Sequence, residues 1–342
     1  MSKKVQLTLS ILCAVMILAL PLLVPSGRLL ESAEERLNEA WEATEEESEA
    51  SLFDFLFSRA YAEEDAEKPA RKLPIDFSAG MQPNPACFTE NGYKDDSITV
   101  TMETRDEGDT VYCIAFVTIA DASQLRTAVA GTTKKGVPNK STAKLSSMAR
   151  KMNAVVAING DLYVELTDKK TFETRMGVNI RRKKNQYRSA LIIDENGDFH
   201  VINRLADLNA VEKELKDAGH EIVNAFTFGP ALVINGEVLK QDEKYAWNPN
   251  EREPRMAIGQ TGKLSYVLVM AEGRTKNSKG ATHQELADYM GQLGCLEAFN
   301  LDGGNTAEMI FNGEFYGSRK GNERDQSDMI YFASAVDPSE WQ

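Results

Sequence analysis

Cysteine and histidine are scarce in this 342-residue chain, with four and three copies, and no CxxC or Cys/His spacing of the metal-binding kind occurs. A zinc site is therefore not expected. Cys13 falls in an N-terminal apolar run, which leaves Cys87, Cys113 and Cys295, an odd number. Free thiols are the expectation, with a Cys87–Cys113 disulfide as the alternative. Basic charge is also short: 39 Lys and Arg stand against 52 Asp and Glu, a net −13, with no coherent basic face. A duplex nucleic-acid partner is thereby disfavoured. No internal repeat is visible. Long uncharged apolar runs are limited to one, Val5–Val24.

That run is what is present at the N-terminus. At ~1.5 Å per residue, twenty helical residues span ~30 Å of hydrocarbon. Lys3 and Lys4 precede it, which places the remainder outside the cytoplasm by the positive-inside tendency. No small-x-small cleavage site follows closely, so an uncleaved signal anchor is favoured over a removed signal peptide. Residues 1–27 are thus read as a membrane partner element, and the product as extracytoplasmic, anchored or secreted. The acidity is local. Residues 31–67 hold fourteen acids against Arg36 and Arg59, a charge of −12, while everything after Glu67 amounts to −4. Residues 28–94 accordingly read as an acidic stalk and a linker containing Pro69, Pro74, Pro83 and Pro85.

From residue 95 to 336 the pattern is of short strands with a few helices, and residues 337–342 form a tail. Ile98–Glu103 and Thr110–Ile119 flank Glu107-Gly108-Asp109, a hairpin signal. Hairpin turns are also expected at Asn196-Gly197, Asn235-Gly236 and Thr261-Gly262. Helices are expected over Ser141–Met152, Asp207–Ala218 and Thr282–Leu293. The last is opened by the capping box Thr282-x-x-Glu285 and closed by Gly294. Ala154–Ile158 and Cys295–Leu301 are short continuous apolar runs, the mark of strands buried on both faces. Ala307–Phe315 and Met329–Ala335 read as the last strands. The expected class is α+β, a mixed β-sheet domain with a few inserted helices.

Two polar clusters directly follow buried-type strands: Asn159-Gly160-Asp161 and Asp302-Gly303-Gly304-Asn305. Side chains at strand ends are rigidly held yet open to a cleft. Paired glycines let backbone approach a ligand and let successive N–H groups point at an anion. The plainer reading of each cluster is a tight turn, where Asn, Asp and Gly are all common. Among the other polar residues, Glu308 reads as solvated, and His200 and His220 as structural.

Phe228-Gly229-Pro230-Ala231-Leu232, Pro254-Arg255-Met256-Ala257-Ile258-Gly259, Glu272-Gly273-Arg274, Gly280-Ala281-Thr282 and Asn300-Leu301-Asp302-Gly303-Gly304 occur in this order. With Ala157–Asp161 and Ser327–Ile330, residues 95–336 resemble the bacterial branch of the phosphodiester glycosidases. These are relatives of the enzyme that removes N-acetylglucosamine from a mannose 6-phosphate diester. The resemblance implies hydrolysis of a sugar-1-phosphodiester in a phosphorylated glycan of the cell envelope or an exopolysaccharide. It implies Asp302 as main catalytic carboxylate, Asp161 as its partner, and Arg255 as phosphate clamp with Arg274 second. Asn159 and Asn305 would orient sugar hydroxyls, Gly160, Gly303 and Gly304 would line the ligand, and His283 could donate to an anion. No cofactor is implied, although acids and a phosphate can share a divalent cation. The family's usual pattern is departed from at Asn305-Thr306-Ala307-Glu308 and at Leu162-Tyr163. These departures keep a non-catalytic glycan- or phosphate-binding module as the alternative.

Overall fold

The computed structural model describes residues 72–73, 75–161, 172–182, 188–204, 206–318 and 323–341, with residues 181 and 182 by backbone alone. The apolar run 5–24, the acidic segment 31–67 and Leu162-Tyr163 lie outside the described residues. Among the described residues no helix is long and apolar enough to cross a membrane. The unit Glu67–Gln342 is compact.

Among the described residues, three large sheets and a two-stranded pairing of Ala143–Lys144 with Asp325–Gln326 carry this unit. The largest has nine strands, at whose centre Val111–Ile119, Ser265–Ala271, Arg255–Gly262, Glu297–Leu301 and Ala231–Ile234 lie side by side. A five-stranded sheet runs Phe199–Ile202, Ala190–Asp194, Ile222–Phe226, Phe172–Arg175, Val178–Arg182. Another runs Glu314–Phe315, Met309–Phe311, Val156–Asn159, Asp328–Phe332, Leu125–Val129. Every strand pairing in these three sheets is antiparallel. The α+β class holds, and the expected mixed sheet is corrected to antiparallel sheets.

The continuous apolar runs are explained without parallel pairing. Along Arg255–Gly262, Ser265–Ala271 and Glu297–Leu301, Met256, Ile258, Leu268, Met270, Phe299 and Leu301 face the main core. Ala257, Val267, Val269 and Ala298 face the opposite way, onto Leu286, Ala287 and Met290 of the helix His283–Gln292. Full burial of one such large side chain stabilises by roughly 1.5–3 kcal/mol, so covering the second face with a helix is strongly favoured.

Local signals set most boundaries. Thr282 and Glu285 form the reciprocal capping box, with Thr282 Oγ1 accepting from Glu285 N–H at 3.1 Å. Asp207 caps the helix Leu208–Asp217, and the helix expected over Ser141–Met152 is shortened to Leu145–Lys151. Asn235-Gly236 makes the expected two-residue turn between Ile234 and Glu237. The turn expected at Thr261-Gly262 moves to Lys263-Leu264, because Gly262 still pairs with Ser265. Asn312-Gly313 splits the strand expected over Ala307–Phe315 into a hairpin. Cys87, Cys113 and Cys295 are free thiols; burial pushes Cys113 and Cys295 up to about 12, which leaves them unreactive at neutral pH.

Candidate active site

The two polar clusters meet in space. The Asn159 side chain donates from Nδ2 to the carbonyl oxygens of Asp302 (2.9 Å) and Gly160 (3.0 Å), and its Oδ1 accepts from the Glu308 N–H at 3.1 Å. The Asp302 N–H donates to the Gly160 carbonyl at 3.3 Å. Asn159 is fully buried, with both amide hydrogens and its oxygen committed to the fold. It brackets the two loops together, which corrects its expected role on sugar hydroxyls.

Asp161 is wholly buried as well. Its Oδ1 pairs with Arg175 Nη2, and its Oδ2 accepts from the Thr227 N–H at 2.9 Å. Arg175, also wholly buried, donates from Nε to Asp328 Oδ2 at 2.7 Å and stands 3.4 Å from Glu173 Oε2. Its guanidinium lies over the Phe226 ring, 3.8 Å from the centroid. The Thr227 hydroxyl donates to Glu173 Oε1 at 2.6 Å. Three carboxyls thus surround one cation out of reach of water. One cation cannot neutralise three carboxylates, and uncompensated charge there is expensive. Burial drives both Glu173 and Asp161 above the usual carboxylate range, Glu173 more so because Asp161 adds like charge. Gly160 owes its identity to this cluster, not to a ligand: a Cβ there would stand 2.3 Å from Asp328 Oδ2.

Asp302 has a different environment. One carboxylate oxygen, Oδ1, accepts from the Gly303 N–H at 2.9 Å; Oδ2 is buried with no hydrogen-bond partner. Burial pushes this carboxyl up to about 7, aided by the Asp161 charge and resisted by the Thr306 hydroxyl, the Gly303 N–H and Arg324. A carboxyl poised near neutrality with one uncommitted oxygen suits proton transfer.

The neighbouring glycines do not form an anion nest. Gly303 N–H is taken by Asp302, and Gly304 N–H donates to the Pro254 carbonyl at 2.7 Å. A Cβ on Gly303 would meet the same Pro254 oxygen at 2.7 Å, so close backbone approach fixes its identity. Two exposed arginines border the loop. Arg274 donates from Nε to Glu253 (2.6 Å) and from Nη1 to the exposed Asn305 Oδ1 (3.3 Å). Arg324 donates from Nη1 to Thr306 Oγ1 at 3.2 Å.

Arg255 is not available to a phosphate. All five of its N–H groups are used inside the fold: Nε on Ala281 O (2.9 Å), Nη1 on Trp247 O (2.9 Å) and His283 Nε2 (3.0 Å), and Nη2 on Asn248 O (2.7 Å) and Glu251 O (3.0 Å). Burial lowers its pKa to about 10, which still leaves it charged. The expected clamp is therefore corrected to a brace for the loop before it. His283 is buried in the same brace, and burial together with Arg255 holds it down to about 3. Accepting from Arg255 through Nε2, it is neutral and turned into the protein, which corrects its expected role on an anion. Glu308, expected to be solvated, is wholly buried and accepts from the Arg324 N–H at 2.5 Å.

Glu173, Arg175 and Arg324 carried no sequence signal as site residues. Phe172–Arg175 carries no motif, and the partners of Arg175, Asp161 and Asp328, lie 14 and 153 residues away. Among the described residues, Asp194, Glu195 and His220 form a group able to hold a metal ion, with ligand atoms within 4.8 Å of one another. They already contact one another, His220 Nδ1 standing 3.3 Å from Asp194 and 3.4 Å from Glu195, beside a different sheet from the one that leads into Asp302. His200 joins them at 3.1 Å from Asp194 Oδ2, so both histidines adjoin the Asn196-Gly197 hairpin.

The fold resembles the catalytic domain of zebrafish N-acetylglucosamine-1-phosphodiester alpha-N-acetylglucosaminidase, which was solved auto-inhibited by its pro-peptide. The TM-score is 0.54 at 17% identity, covering 75% of this chain and 87% of that one. An uncharacterised SPbeta prophage-derived protein of Bacillus subtilis, YomE, is 30% identical over 92 residues, 27% of this chain. That stretch spans 14% of the relative's length. Residues 152–333, more than half of the chain, match the phosphodiester glycosidase family model and include Asp161, Arg175, Arg274, Asp302 and Arg324. The chain belongs to the phosphodiester glycosidase family.

Proposed function

We propose that this protein hydrolyses a sugar-1-phosphodiester bond in a phosphorylated glycan of the cell envelope or an exopolysaccharide, outside the cytoplasm. The observation that carries the reading is Asp302, buried, raised toward neutrality and left with one oxygen uncommitted at the junction of two strand-end loops. The leaving group is a phosphate ester, already a good anion, so proton donation to it matters less than in an ordinary glycosidase. Asp302 in its ionised form activates water, or attacks the anomeric carbon itself. Arg274 and Arg324 supply positive charge beside the loop for the phosphate, a task suited to the planar guanidinium. Asp161 does not reach substrate; clamped by Arg175 and Thr227, it holds its loop and contributes negative charge near Asp302. Asn305, exposed on Arg274, orients the bound group. The extracytoplasmic setting rests on Lys3, Lys4 and the apolar run 5–24.

The test is release of free sugar from a panel of sugar-1-phosphodiesters by the purified full chain, compared with Asp302→Asn. Sugar release by the wild type, abolished in a normally folded Asp302→Asn, is the expected result. Full activity in that variant sinks the assignment. Glycan binding with no hydrolysis across the panel would make the protein a binding module.

A further inference from the structure

The loop 242–251 is held more tightly than a connection requires. Trp247 and Asn248 are consecutive non-glycine residues at φ 71° and 53°. Left-handed backbone costs such residues free energy, and it persists where the surroundings over-determine it. Here the surroundings are the buried Arg255, which takes the carbonyls of Trp247, Asn248 and Glu251, and the His283 N–H, which takes the Pro249 carbonyl at 2.9 Å. A buried cation is thus devoted to fixing a loop whose most prominent side chain is exposed. Trp247 is 41% exposed, and its ring stacks on Phe228, centroids 5.2 Å apart and planes at 13°. Phe228 is itself fixed, only 2% exposed, with its carbonyl accepting from Tyr245 Oη at 3.0 Å.

The position of this ring matters. Phe228 directly follows Thr227, whose N–H holds Asp161. Arg255 directly follows Pro254, whose carbonyl holds the Gly304 N–H of the Asp302 loop. The loop that displays Trp247 is therefore tied, within one residue on each side, to both strand-end loops of the candidate active site. The Arg188 guanidinium carbon stands over the Trp247 ring, 5.7 Å from its centroid.

We propose that Trp247 is a stacking platform for a pyranose ring of the bound glycan, adjoining the Asp302 site. The assignment rests on the glycan-phosphodiester reading above. A pyranose presents a face of C–H bonds that packs on an indole, the residue with the largest aromatic surface and negative π face. A rigid ring loses little conformational freedom on binding, so the stacking is realised as affinity. Trp247 is thus a binding residue, and its loss weakens ground-state and transition-state binding together.

The chain has two further tryptophans, Trp41 and Trp341, so a full-length Trp41→Phe, Trp341→Phe background leaves Trp247 as the single fluorophore. Glucose 1-phosphate and N-acetylglucosamine 1-phosphate are the probes. The expected result is saturable change of Trp247 emission, and calorimetric binding weakened about tenfold by Trp247→Ala, with Trp247→Phe restoring most of it. Trp247→Gly, free of the left-handed backbone penalty, should match Trp247→Ala if ring loss is the cause. KM should rise in these variants while kcat changes less than threefold. Binding within twofold of wild type in both Trp247→Ala and Trp247→Gly overturns the platform. Asp302→Asn should keep the emission change. If that change persists while no sugar phosphodiester is hydrolysed, the catalytic reading fails and the platform stands; hydrolysis without any emission change or KM effect overturns the platform alone.

Discussion

The loops Asn159-Gly160-Asp161 and Asp302-Gly303-Gly304-Asn305 look alike in sequence and stand in equivalent places, each just past a buried strand. Their aspartates have opposite fates. Asp161 has both oxygens engaged, one by Arg175 and one by the Thr227 N–H, inside a cluster closed to water. Asp302 has one oxygen on the adjacent Gly303 N–H and one with no partner, next to exposed Arg274, Asn305 and Arg324. Both are buried and both are raised, so burial does not separate them. What separates them is the number of partners already satisfied. A saturated carboxylate holds structure, whereas one with an uncommitted oxygen can take part in chemistry.

The sharpest way to break this contrast is to remove Arg175. Arg175→Ala leaves Asp161, Glu173 and Asp328 buried without their cation and should destabilise the protein by about 3–5 kcal/mol in urea denaturation, as expected for a broken buried ion pair. Stability within 1 kcal/mol of wild type would mean that the cluster is not structural. Next in size is Asp302→Asn, which should lower kcat by about two to four orders of magnitude at pH 8, within the range for loss of a positioned acid–base group. The two effects should not cross over, since Asp302→Asn should leave the fold intact.

The folded Asp302 carboxyl sits at about 7, against an unfolded value of about 3.9. Between those values the folded protein keeps a proton that the unfolded chain has released, so stability falls as pH rises from about 4 to about 7 and levels off above. The contribution is as much as about 4 kcal/mol by linkage. Asp302→Asn should remove it, matching wild type near pH 4 and exceeding it in chemical denaturation at pH 8. Activity should run the other way, kcat rising through about pH 7 as the active ionised form appears. A rate that falls through the same range would make Asp302 a proton donor. Smallest in effect is Arg274→Ala. Its exposed pairs with Glu253 and Asn305 should change stability by less than about 0.5 kcal/mol, while KM rises roughly tenfold from a lost charge-assisted contact. An unchanged KM would move the phosphate contact to Arg324.

Features that depend on near neighbours are legible in the sequence. The capping box at Thr282 and Glu285, the Asp207 cap, the Asn235-Gly236 turn and the strand ends at Asn159 and before Asp302 all depend on a few neighbouring residues, and their residue types follow from backbone geometry. The sequence also presented Asp302 as the carboxylate to watch. Tertiary structure decided which polar side chains remain available. Arg255 looked like a phosphate clamp because a conspicuous arginine in a motif gives no sign of where its five donors go; four go to carbonyls up to 26 residues distant and one to His283 Nε2, 28 residues distant. Glu308 looked solvated because a local alternation pattern cannot reveal that the Arg324 N–H and Gln326 Nε2 are brought onto its carboxylate by folding. Glu173 and Arg175 were invisible because a buried charge is tolerated only through partners brought together by folding, and Asp328 is 153 residues from Arg175. The physical reason is the same throughout. Backbone preference is local and legible, whereas hydrogen-bond satisfaction and desolvation depend on every group packed around an atom.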